Sequence, residues 1–352
     1  MRTRRRQLWI ALVVVLALAS AIVVAIILRK HAPPDTVRLL PDSDAVLYVN
    51  LEPMRLLTDL GKKPSPNRDP EYQQFVSETG FDFERDLDRA AFAIHYGAAK
   101  DEETRYTEIL QGHFDHARVS QYLSKLSNNA IEHYGGFEVY VIPLEGRTLR
   151  VALLGFDTAA ASNNADPGFI HYIIDNYKGS ALPFAGPVLV RDYYRWVPLG
   201  SVVWTIARTP AQVSMQDRGE LLIPGGWSSL LPKGSVVIAS ARPLTDVRLR
   251  AQVITQSDAE ARGFVGRLSA FLALFNSIDI SMDAGGPDPD VKKAFESLKV
   301  EQDKNEAIVS ASVPFAFFHK IVSESPVEIA PQTQKPPEGA QPPAPSRPRR
   351  NQ

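Results

Sequence analysis

The 352-residue chain contains no cysteine. That excludes disulfides, thiolate metal sites, a cysteine nucleophile and a lipid-modified cysteine. No Asn-x-Ser/Thr acceptor occurs, so nothing supports N-glycosylation. A Gly-x-Ser-x-Gly elbow, a phosphate loop and a dinucleotide fingerprint are missing too. Charge of either sign is not in excess, with 39 basic against 40 acidic residues. The sequence shows no catalytic constellation, and implies no cofactor and no metal.

What is present begins at the N-terminus. "MRTRRR" is followed by "LWIALVVVLALASAIVVAIIL", Leu8 to Leu28, without a charge. A helix over residues 8–28 is about 31 Å long, enough to cross a hydrocarbon core. Ala17-Leu18-Ala19 resembles a signal-peptidase site, but apolar sequence runs on for nine residues beyond it, which favours an uncleaved anchor. The arginines of residues 1–7 outweigh Arg29 and Lys30, so the N-terminus is expected in the cytoplasm. Everything after Lys30 is then expected outside it, attached to the inner membrane by one span. Setting aside the six basic residues around the span leaves 33 against 40 acidic ones. That mild acidity argues against a nucleic-acid or anionic-lipid partner. Ala17, Ala21 and Ala25 form a small-residue stripe that an Ala-rich span acquires by chance.

From Pro326 the chain carries eight of its 27 prolines and ends in "RPRR". Residues 326–352 read as a disordered tail. Between spacer and tail the pattern is α+β with mainly antiparallel sheet. A first unit is expected over residues 36–180 and a second over 186–325. Ala45 to Leu51, Ala90 to Tyr96 and Tyr106 to Phe114 alternate as strands. Asp69 and Pro70 open a helix that Gly80 closes. Asp115 opens another through Leu126, with Phe114 and Val119 as its hydrophobic staple. Residues 130–155 form a meander turned at Gly135-Gly136 and Glu145-Gly146. Asp166 and Pro167 open a helix ending at Gly179. Ser257 and Glu260 form a capping box for a helix to Phe275. That helix has an apolar stripe through Ala261, Phe264, Leu268 and Phe271. A second stripe of Ala259, Gly263, Gly266, Ala270 and Ala273 is small throughout, which suggests close packing there. "LLPDSDAVLYVNLEP" (Leu39 to Pro53) and "LLPKGSVVIASARP" (Leu230 to Pro243) read as the first strand of each unit.

Three constellations carry candidate chemistry. His113 and His116 have metal-like spacing but straddle a strand-to-helix junction. Asp82, Glu84, Asp86 and Asp88 crowd one turn among Arg85 and Arg89, which reads as capping and local ion pairing and lacks the EF-hand glycine and glutamate. Tyr193, Tyr194, Trp196 and Trp204 group four aromatic rings, the pattern of a sugar- or peptide-binding platform or of a core.

"TGFDFERDLDRAAFA", after "LPDSDAVLYV" and before "GHFDHARVSQYL", resembles a group of bacterial proteins of unknown function. They have an N-terminal anchor and an exported α+β region. The resemblance spans residues 38 to 320 and implies topology and envelope location, with no active-site residues. The leading expectation is a membrane-anchored interaction or scaffold module with an envelope protein as partner. The alternative is an exported binding module for cell-wall glycan or a small ligand. A hydrolase using Asp82 to Asp88 is a third.

Overall fold

A computed structural model describes residues 32–57, 69–97, 103–144, 146–179, 185–210, 231–279, 293–294 and 296–315. The expected span at Leu8 to Leu28 and the expected tail at 326–352 lie outside the described residues. Among those described, no helix is long and apolar enough to cross a membrane.

The chain enters through a short helix, α1 (Asp35–Arg38), into strand β1 (Ala45–Asn50). Helices α2 (Leu51–Leu57), α3 (Pro70–Thr79) and α4 (Phe83–Asp86) precede β2 (Leu87–His95) and β3 (Arg105–Gly112). Helix α5 (His116–Leu126) leads to β4 (Ile131–Tyr134), β5 (Phe137–Leu144), β6 (Arg147–Leu153) and β7 (Thr158–Ser162). Then come α6 (Gly168–Lys178), α7 (Val188–Tyr193), a 3-10 turn (Tyr194–Trp196) and β8 (Val203–Arg208). The chain closes with β9 (Val236–Pro243), β10 (Val247–Ile254), α8 (Asp258–Asp279), β11 (Lys299–Asp303) and β12 (Glu306–Val313).

The strands form one twelve-stranded sheet in the order β11-β12-β10-β9-β8-β1-β2-β3-β7-β6-β5-β4. Neighbours are antiparallel throughout, as alternation over short strands requires. The α+β class with a large antiparallel sheet is thus what the molecule has. Outward from the β1–β8 pair, both halves lay down three strands in sequence, then a helix, then further strands (β4–β7 or β11–β12) of which the last returns beside the third. The second Leu-Leu-Pro phrase leads into β9, whose partners are β8 and β10. It therefore opens the second strand of its half, not the first. The proline turn and β-branched run specify a buried inner strand, which both β1 and β9 are, without fixing its place in the order.

The caps follow from side chains. Asp69 accepts from the Glu71 amide, and Gly80 takes φ 75° to end α3, a conformation that costs glycine little. Asp115 accepts from the Arg118 amide and starts α5, and its staple partner Val119 is buried with Phe114 against it. The Ser257 hydroxyl accepts from the Glu260 amide at 3.3 Å and the Glu260 carboxylate answers to the Gln256 amide at 3.1 Å. That box sits as expected, although α8 continues to Asp279. Gly112 is needed for closeness, because a Cβ there would lie 2.2 Å from the Asp86 carbonyl oxygen.

Helices lie on both faces of the β1–β7 half. On one, Ile170, Ile173 and Ile174 of α6 and Leu189 and Val190 of α7 pack with Val46, Ile109, Val139 and Trp204. On the other, Val119 and Leu123 of α5 meet Tyr140 and Leu153, and Phe75 and Phe83 meet Phe81 and Phe92. The second half is covered differently. Helix α8 seats Phe264 and Leu268 on Val237, Val253 and Ala307. Its small-residue stripe does not pack against any described element. Ala259, Gly263, Gly266, Ala270 and Ala273 are all exposed, and a Cβ on Gly266 would meet nothing within 4 Å. The apolar stripe alone is enough to seat the helix, so the small stripe faces outward.

Candidate functional site

The opposite face of β9, β10, β12 and β11 carries a block of cations and hydroxyls. Antiparallel register sets Arg248 opposite both Arg242 and Ser312. Ser297 closes that rung, its hydroxyl donating to the Ser312 carbonyl at 3.0 Å and accepting from the Ser312 amide at 2.8 Å. Two residues along, Arg250 stands opposite Ser240 and Ser310, and Ser310 opposite Lys299. Strands spaced about 4.8 Å apart and rungs separated by about 7 Å put all eight side chains on one face. They line a cleft of about 590 Å³, which Pro198 borders from the turn before β8.

The electrostatics are one-sided. The ion pairs between described residues at 35 to 150 leave Arg242, Arg248, Arg250 and Lys299 aside, and none of the four pairs with a described carboxylate. Arg242 donates from one terminal nitrogen to the Leu199 carbonyl at 3.4 Å, while its buried Nε has no acceptor. Like charges directly opposite on adjacent strands are unfavourable, and Arg242 faces Arg248 in that way. A solvated sheet face also reads polar. Such a face gains from mixed signs, whereas the carboxylate hydrogen-bonded at this rim is Asp246, which accepts from the Ser312 hydroxyl at 3.3 Å. Beyond the two rungs the face changes character: Ile238, Gln252, Ile308 and Glu301 follow, with Gln252 held by its amide on the Glu306 carboxylate. Three guanidiniums, an ammonium and the Ser310 hydroxyl supply donors for phosphate or carboxylate oxygens, while the hydroxyls of Ser240, Ser297 and Ser312 donate within the protein.

Sequence reasoning missed this block. Mean acidity hid it, because overall charge says nothing of placement. A signal was nevertheless present: in "VRLRAQV" Arg248 and Arg250 alternate onto one side, and in "SAS" so do Ser310 and Ser312.

The residues that were singled out lie elsewhere. Trp204 is 1% exposed, on inner strand β8, so it belongs to the core and cannot form a surface platform. Tyr194 packs edge-on to it with ring centroids 5.3 Å apart, and burial raises the Tyr194 hydroxyl above its usual pKa. Tyr193 and Trp196 are tilted together at 5.5 Å and are half-buried against the same core, with the Arg195 guanidinium 3.8 Å over the Trp196 ring. Hence the four rings do not converge on one open surface.

The acidic turn is occupied by its own structure. Asp82 accepts from the Glu84 amide and from the Tyr72 hydroxyl, capping α4. Asp86 accepts from the Asp82 amide and pairs with Arg85; burial opposes these bonds, and their balance holds its pKa below the usual value. Asp88 pairs with Arg55, and the exposed His113 stands 3.6 Å from it. His116 is the first residue of α5, its Nδ1 3.5 Å from the Ser120 hydroxyl. Among the described residues no group of three His, Asp or Glu is placed to hold a metal.

One carboxyl stands apart. Glu108 faces Phe92 and Ala161 on the helix-covered side, and burial pushes its pKa up. Across β3, His95 lies 3.3 Å from the Thr107 hydroxyl and edge-on to Phe169, and burial lowers its pKa against the pull of Asp44 and Asp42.

Fold and cleft together define a mixed α+β protein with one large antiparallel sheet and a basic cleft on one wing. No protein-family model matches the chain, and no curated protein matches it. Among solved structures it is similar to TP0453 in three crystal forms. Form III matches with TM-score 0.44 and 10% identity, over 83% of this chain and 98% of that one. Form I gives 0.41 and 11% over 83% and 98%, and form IV gives 0.42 and 10% over 82% and 96%. At that level nothing of TP0453 is carried over to this chain.

Proposed function

We propose that the protein is a binding module for an anionic ligand, held at a membrane by Leu8 to Leu28 with its sheet outside the cytoplasm. The observation that carries this reading is the cleft itself: Arg242, Arg248, Arg250 and Lys299 share one concave face and pair with no described carboxylate. A bound phosphate or carboxylate would relieve the Arg242–Arg248 repulsion. Calorimetric titration of the full-length chain with inorganic phosphate at low salt tests it. Saturable binding is expected, weakened about tenfold or more by Arg250→Ser, the scale of one charge-assisted hydrogen bond. Equal binding by wild type and a variant with all three arginines replaced by serine overturns it.

A second reading, an interaction module for another envelope protein, draws on the exposed small face of α8, where Phe271 is also 39% exposed. Crosslinking in native membranes from positions 263 and 266 tests it. A reproducible heterologous product supports it, and products confined to lipid remove it.

A further inference from the structure

The four cations of the cleft are not evenly spread. Arg242, Arg248 and Arg250 occupy adjacent positions on β9 and β10, whereas Lys299 stands on β11, two strands from Arg250. Two strand spacings separate those backbones by about 10 Å. Between the two poles lie Ser310 and Ser312 on β12, with Ser297 beside them. The poles also differ in kind. Guanidiniums are planar forks suited to two oxygens of one phosphate or carboxylate, and an ammonium is a compact point charge.

We propose that the ligand carries two anionic groups about 10 Å apart, one seated on the arginine trio and one on Lys299, joined by a polar link that faces the serine hydroxyls. This rests on the cleft being the ligand site. A single small anion held by the arginine trio would leave Lys299 unused, whereas two spaced anionic groups would engage both poles. Ser310 offers a donor and the Ser312 and Ser297 oxygens offer acceptors to a hydroxylated link, whereas an alkyl link would desolvate them for no return. Asp246 at one rim and Glu301, two residues beyond Lys299 on the same side of β11, bound the cleft with negative charge and disfavour a longer polyanion.

The test is calorimetry on the full-length chain in neutral detergent at low salt, with three probes. They are inorganic phosphate, pyrophosphate and fructose 1,6-bisphosphate, whose phosphates sit at the two ends of a hydroxylated six-carbon chain. The bisphosphate is expected to bind about tenfold or more tighter than either other probe. Lys299→Ala should abolish that advantage while keeping the wild-type circular dichroism spectrum and melting temperature, which shows that the variant folds. Pyrophosphate binding as tightly as the bisphosphate, or an unchanged ratio in Lys299→Ala, overturns the two-group ligand and leaves the anion site standing. No saturable binding of any probe overturns both. Mixed micelles doped with cardiolipin, a lipid with two phosphates, separate the sources. Displacement of the bisphosphate supports a lipid headgroup as the two-group ligand, and undisturbed binding supports a soluble one.

Discussion

Tyr48 on β1 and Trp204 on β8 are register partners across the middle of the sheet, stacked with centroids 5.5 Å apart and planes 28° from parallel. Both are buried, and burial raises the Tyr48 hydroxyl to a pKa of about 12. This pair joins the half built from β1–β7 to the half built from β8–β12.

Trp204→Ala should therefore cost about 3–5 kcal/mol, the range for removing a large buried ring. Urea unfolding followed by far-ultraviolet circular dichroism measures it. A loss below 1 kcal/mol would mean the seam tolerates collapse around the missing ring.

At the cleft, stability and binding should move in opposite directions. Arg248→Glu turns the repulsive pair with Arg242 into an attractive one, for a gain of about 0.2–1 kcal/mol. The same change places negative charge where the ligand's anion sits. Thermal unfolding should rise slightly while phosphate binding disappears.

Gly266 is exposed within α8, where alanine would meet open space. Gly266→Ala should stabilise by about 0.5–1 kcal/mol through helix propensity. Chemical denaturation checks the sign, and a loss of stability would show that the added methyl meets a covering segment.

Two buried titratable groups set opposite pH dependences. Glu108 has a raised folded pKa, so its contribution is full below its unfolded pKa and is lost as pH rises through the folded value. Glu108→Gln should thus raise stability at neutral pH and bring no gain at low pH. His95 has a lowered folded pKa, so stability is full above its unfolded pKa of about 6.5 and falls as pH drops through the folded value. His95→Gln should flatten the stability curve just below neutrality. Melting temperatures from pH 4 to 8 for both variants check these signs.

Much of the local structure was legible in the sequence, because caps and turns are settled by residues three or four apart. Asp69, Asp115 and Ser257 each start the helix their side chains predict. Alternation likewise marked β1, β2 and β3, and the second Leu-Leu-Pro phrase marked β9. Strand order was not legible. That β8 rather than β9 meets β1 depends on long-range packing of Trp204 on Tyr48. Short charged β11, "KVEQD", gave no strand signal because an edge strand needs no apolar face. The cleft was hidden for the same reason: its cations lie on three strands from residue 242 to residue 299, and only the register brings them together. The aromatic group misled in the other direction. Its spacing was compatible with a platform, but an inner strand leaves Trp204 no surface.

The described chain enters the sheet at β1, a strand hydrogen-bonded on both sides, to β2 and to β8. A pull on the N-terminal end along that strand loads both ladders in shear, so their rungs share the force instead of parting one after another. An edge strand attached in the same way would peel. If the preceding apolar segment is a tether, its tension falls on a strand paired on both sides, and the basic wing, five strands out from β1 at its edge, feels little of it.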